Sequence, residues 1–139
     1  MKKPFKYENN WRFKSIESLE KVSYGDPKTA PTSLVESCME LVKKPVGKLN
    51  VEDLRLLLGQ QIAPFFLVPL ALEHLTENIF VSGDLYDGDL LHSVVRLDIT
   101  FWRGNKHLWH EVNNLIKDHR TEIAAHKINT SIFDNAFND

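Results

Sequence analysis

The stretch Ile62–Leu72 reads IAPFFLVPLAL and is the longest apolar run in the chain. Gln61 and Glu73 bound it, and it falls well short of the about 20 apolar residues that span a bilayer. Length and flanks predict a buried helix. Pro64 fits the first helical turn, where a missing N–H costs nothing. The helix then continues through Phe65, Phe66, Leu70, Leu72 and Leu75. It is apolar on nearly every side, which predicts the central place in the fold. Pro69 lies inside it and predicts a kink or a helix broken in two.

Working outward toward the N-terminus, Asn50 and Asp53 open a helix whose apolar face is Leu54, Leu57 and Leu58. Gly59 and QQIAP mark its end. Ser33 with Glu36 reads as a capping box for a helix that buries Leu34, Val35, Cys38, Leu41 and Val42. Lys43 and Lys44 complement the negative end of its dipole before Pro45. SYGDPKTAP is a loop. SIESLEKV places Ile16, Leu19 and Val22 at helical spacing. Residues 1–14 read as an N-terminal arm carrying Phe5, Tyr7, Trp11 and Phe13.

Toward the C-terminus come LLHSVVRL and then NKHLWHEVNNLIKDH, with Asn105 as N-cap and Leu108, Trp109, Val112, Leu115 and Ile116 on one face. RTEIAAHKINTSIFDNAFND reads as a weaker helix with a frayed tail over 130–139. Strand candidates are confined to Ile79–Val81 and Arg96–Thr100, too short and isolated for a sheet. The expected fold is all-α. It is a single compact domain, residues 1–139, of about six or seven short helices around the apolar one.

Composition bounds the function. A chain of 139 residues suits one core. A formal net charge of −2 implies no nucleic-acid surface. The single cysteine, Cys38, can form no internal disulfide, which suits a reducing compartment; at its helical spacing it reads as a small buried apolar residue. MKKPFKYENN has no apolar core behind its lysines, so it is not read as a signal peptide. The expected location is the cytoplasm, with no membrane association.

The densest chemistry is VSGDLYDGDLL, residues 81–91, where Asp84, Asp87 and Asp89 are interleaved with Gly83, Tyr86 and Gly88. As a calcium loop starting at Asp84 it fails, because positions 3, 5 and 12 are Tyr86, Gly88 and Val95. A catalytic acid pair would need a cleft that drives two pKa values apart, and no other residue set points to one. Carboxylates just ahead of LLHSVV instead suit a helix start, where they meet free N–H groups and the positive end of the dipole. A rigid turn of that kind also presents Asp84, Tyr86, Asp87 and Asp89 to a partner. Glu36 and Glu40, one helical turn apart, offer a second acidic face. His107 and His110 lie beside Glu111, but the zinc-protease pattern would need a histidine at Asn114. No phosphate loop or nucleophile elbow is present.

Three pieces carry a family resemblance: LVKKPVGKLNVEDLRLLLGQ (41–60), LVPLALEHLTEN (67–78) and GDLYDGDLL (83–91). Together they resemble the immunity proteins of bacterial contact-dependent growth inhibition (CDI) systems, over roughly residues 15–118. APFF carries Pro64 where the resemblance implies an uninterrupted helical stretch. What it implies is a cytosolic protein that is not an enzyme and needs no cofactor or metal. Such a protein binds the C-terminal toxin domain of its cognate CDI protein, often a basic nuclease, as a monomer in a one-to-one complex, and covers its active site. It makes no direct contact with nucleic acid. Motifs that define the family are then scaffold, so contacts can also lie on the arm with Tyr7, Trp11 and Tyr24. Competing readings are a helical regulatory or adaptor protein, and a metal-dependent enzyme built on His107, His110 and nearby acids.

Overall fold

Local capping chemistry sets most element boundaries. The computed structural model describes residues 7–138 and divides into two compact units, Met1–Leu49 and Asn50–Asp139. The fold is all-α. Among the described residues the only β-type pairing is one isolated antiparallel bridge, Ser15 to Pro45.

In the first unit Ser15 caps α1 (Ile16–Glu20) through Ser18 N, and Thr32 caps α2 (Ser33–Leu41) through Val35 N. The cap of α2 is thus Thr32 rather than Ser33, one residue earlier than the capping-box pattern places it. Two strand-like crossings, Glu17 N to Val42 O and Val46 N to Lys14 O, tie the segment around α1 to the chain after α2. Ile16, Val42 and Val46 are fully or almost fully buried there. Of the apolar face expected on α2, Cys38 and Val42 are buried, while Leu34 and Val35 are 42% and 37% exposed. The first turn of α2 therefore shows its apolar residues to solvent. Burial pushes the Cys38 thiol up, which suits an inert core residue. Phe5 of the arm lies outside the described residues; Trp11 sits buried in a 3-10 turn, Trp11–Phe13.

The second unit opens with α3 (Val51–Gly59) at the helix start expected from Asn50 and Asp53, which form a reciprocal capping box. Leu54, Leu57 and Leu58 are fully buried. Gln61 and Ala63 take left-handed φ values of 60° and 47°, which turns the chain sharply into α4 (Pro64–Glu77). Pro64 is the first residue of α4, so the helical stretch begins at this proline. The helix runs unbroken through Pro69. The lost donor toward Phe65 is confined to the second turn, and the buried Leu67, Val68, Leu70 and Ala71 hold both sides of it in place. Around α4 pack α3, α5 (Asp89–Val95) and α7 (Lys106–Ile116). Arg96–Thr100 contributes no strand: Asp98 accepts from Thr100 N and starts α6 (Ile99–Gly104).

The frayed tail expected over 130–139 is instead anchored through residue 138. After α8 (Arg120–Ala125) and α9 (Ser131–Asp134), Phe133 and Ala136 are fully buried. Phe133 stacks on Trp109 at 4.9 Å and meets Trp102 edge-on at 5.1 Å. Trp109 Nε1 donates to Phe133 O at 2.8 Å, and Arg103 Nε to Ala136 O at 2.6 Å. A two-residue aromatic clamp and a guanidinium thus hold a segment too polar to announce itself by periodicity. Among the described residues, no helix is long and apolar enough to cross a membrane.

Phe133→Ala is expected to destabilise the protein by about 3–5 kcal/mol, the usual loss for a buried aromatic. Urea denaturation followed by tryptophan fluorescence measures it; a change under about 0.5 kcal/mol would mean that the tail frays after all.

Candidate functional site

A buried carboxylate organises the acidic loop. Asp89, first residue of α5, is only 1% exposed. Its Oδ1 accepts from Gly83 N at 2.7 Å, and its Oδ2 accepts from Leu85 N at 3.0 Å and Tyr86 N at 3.4 Å. Arg55 Nε on α3 stands 3.9 Å away. Arg55 is itself held by Glu52, through Nε to Oε1 at 2.6 Å and Nη2 to Oε2 at 2.5 Å. Glu52 Oε1 also accepts from Asp84 N at 2.8 Å. Two carboxylates therefore hold the backbone of residues 83–86, with one guanidinium between them. A charge this deep is tolerable because backbone donors and a guanidinium replace its water.

The glycines follow from the same geometry. A Cβ at Gly83 would stand 2.5 Å from Glu52 Oε1 and 3.2 Å from Asp89 Oδ2. Gly88 takes φ +88°, and a Cβ there would meet Ile128 Cδ1 at 2.9 Å.

The six residues singled out as partner contacts fall into three groups. Asp84, Tyr86 and Asp87 are exposed on the loop. Asp89 belongs to the same loop, but it is buried and its carboxylate is bonded to the loop backbone. Glu36 and Glu40 are exposed on α2, in the other unit. Sequence reasoning missed Leu85, 61% exposed between Asp84 and Tyr86. It also missed His92, whose Nδ1 lies 2.5 Å from Tyr86 Oη. Gln61 Oε1 accepts from Asp98 N at 3.0 Å and its Nε2 donates to Arg96 O at 3.3 Å.

Electrostatics agree with this wiring. The hydrogen bonds from Arg55 hold the Glu52 carboxyl below its usual range, against the opposing effect of burial. Burial, and then the positive charge of Arg96, push His92 down, which favours the neutral imidazole. His107 and His110 are exposed on α7. Among the described residues, no group of three or more His, Cys, Asp or Glu side chains could hold a metal ion.

The all-helical second unit thus uses internal charge to hold an acidic, aromatic-tipped loop. Residues 18–112 match the family of CDI immunity proteins, more than half of the 139-residue chain. The chain belongs to that family, which makes it an immunity protein directed against a CDI toxin. No curated protein and no solved structure matches it.

Asp89→Ala is expected to cost about 2–4 kcal/mol, because it leaves the buried N–H groups of Gly83 and Leu85 without their acceptor and removes a charge beside Arg55. Gly83→Ala should cost about 1–3 kcal/mol by driving Glu52 off Arg55. Asp84→Ala and Asp87→Ala should stay within about 0.5 kcal/mol. Chemical denaturation of the four variants checks the order, and equal losses at Asp84 and Asp89 would refute the division between inner and outer carboxylates.

The Glu52 pair also sets a pH response. A carboxyl whose folded pKa lies below its ordinary 4.5 contributes stability that is present above 4.5 and lost as pH falls through the folded value. The gap in urea midpoint between wild type and Glu52→Gln should therefore be full at pH 7 and shrink below pH 4.5. A gap that stays constant down to pH 3 would contradict it.

Proposed function

We propose that this immunity protein is a stoichiometric inhibitor. It binds the C-terminal toxin domain of its cognate CDI protein one to one in the cytoplasm. It covers the active site of a basic nuclease and performs no catalysis of its own. The observation that carries this reading is the loop Asp84–Asp87. Two exposed carboxylates flank Leu85 and Tyr86, 61% and 47% exposed, on a backbone fixed by Asp89 and Glu52. Exposed apolar surface on a stiff turn supplies contact area at little ordering cost. The flanking charge suits a groove shaped for phosphates and would speed its capture. Glu36 and Glu40 on α2 supply further negative charge for the same basic partner.

Calorimetry with the toxin domain encoded immediately upstream of this gene, followed by an assay of toxin activity in the complex, tests the proposal. Nanomolar one-to-one binding with loss of activity is expected. The double variant Asp84→Lys/Asp87→Lys should associate about tenfold more slowly at low salt and lose most of the salt dependence of the on-rate. Binding without inhibition would reject the covered active site. A flat salt response in the wild type would reject the acidic-surface mechanism.

A further inference from the structure

Behind the acidic loop lies a hollow of about 240 Å³ between α3 and α5. Leu85 and Tyr86 form one side of it, Gln60 and Gln61 another, and His92 and Arg96 a third. It is smaller than the about 300–1,000 Å³ typical of small-molecule pockets, so its size fits a single inserted side chain rather than a cofactor.

Its charge is unbalanced in one place. Arg55 also borders the hollow, but Glu52 and Asp89 neutralise it. The guanidinium of Arg96 has no hydrogen bond or ion pair among the described residues. The backbone around it is nevertheless fixed, because Gln61 binds Arg96 O and Asp98 N together. Its charge adds to the larger effect of burial in pushing His92 down. Tyr86 Oη, bonded to His92, closes the wall on the loop side.

Arg96 and His92 also border a second hollow, with Asn129, Ser131 and Ile132. Arg96 therefore stands on the ridge between two depressions. Large apolar side chains exposed among the described residues of the second unit are Leu85, Tyr86, Ile132 and Phe137, and the first three edge these two hollows. A lone arginine ringed by exposed apolar side chains has the make-up of an interface anchor.

We propose that this double hollow is a toxin-contacting surface, and that Arg96 receives an Asp or Glu side chain of the toxin domain, packed between Leu85 and Ile132. A guanidinium fork pairs a carboxylate through two parallel hydrogen bonds, which fixes orientation as well as charge. The apolar rim favours a carboxylate carried on a protein surface over a free, hydrated anion. With Asp84 and Asp87 on the adjoining loop, the surface is bipolar. A toxin with a basic residue opposite Arg96 is repelled there, so the same arginine that holds the cognate partner excludes others.

The inference rests on the toxin-binding reading, and the experiment separates the two. Full-length wild type, Arg96→Ala, Arg96→Glu, Arg96→Lys and Ile132→Asp are each titrated against the toxin domain, and their melting temperatures are recorded. Arg96→Ala should weaken binding about 10- to 100-fold with an unchanged melting temperature, and Arg96→Glu should weaken it further. Arg96→Lys should recover only part of the loss. Combined with alanine substitutions of toxin carboxylates, Arg96→Ala should show strong coupling to one of them. Wild-type binding and inhibition with Arg96→Glu and Ile132→Asp both within twofold of wild type would overturn the double hollow and leave the inhibitor reading standing. Failure of the wild type to bind a folded toxin domain would overturn both.

Discussion

The Asp89 carboxylate is the constraint from which the second unit takes its functional shape. An ionised group at 1% exposure is strongly unfavourable unless donors replace its water. Here the donors come from the loop backbone at Gly83 and Leu85, and a guanidinium approaches from α3. Folding the loop, starting α5 and docking α5 on α3 therefore become one event. The same constraint explains why residue 83 bears no side chain. The space beside it is occupied by Glu52, which closes the second half of the clasp.

Rigidity gained this way has a direct bearing on recognition. A loop with two carboxylates and an exposed leucine would ordinarily sample many conformations and lose part of its contact energy to ordering. With four of its backbone N–H groups engaged by Asp89 and Glu52, Gly83 to Tyr86 is already ordered before any partner arrives. Internal and external charges are thereby divided. Asp89 and Glu52 face inward and hold the structure, whereas Asp84 and Asp87 remain free to act at a distance.

How much of this was legible in the sequence depends on the range of the interaction. The capping box at Asn50 and Asp53, the leucine face of α3 and the start of α4 at Pro64 are set within one or two helical turns, and periodicity and capping rules find them. The three aspartates of the acidic loop defeat such rules. Each stands next to a glycine or an aromatic, and which one is interior depends on how the loop backbone closes around Asp89 and on Arg55 of α3. The tail fails for the same reason. Phe133 is buried by Trp102 and Trp109, while its own neighbours in sequence are polar. On α2 the error runs the other way: a regular apolar pattern at Leu34 and Val35 is left exposed, because periodicity reports what could be buried and not what is covered.

The clasp and the two hollows lie differently with respect to the segment that matches the family. Glu52, Arg55, Gly83 and Asp89 all lie within residues 18–112, and so do His92 and Arg96. Asn129, Ser131 and Ile132, which wall the second hollow beside Arg96, lie beyond that segment. A clasp that must form in order to fold belongs with the shared part, because losing it costs the structure. A wall that only shapes a surface can change without that penalty. On the toxin contact proposed for Arg96, a change in that wall would alter which carboxylate-bearing surface fits, while the buried clasp holds the loop side constant.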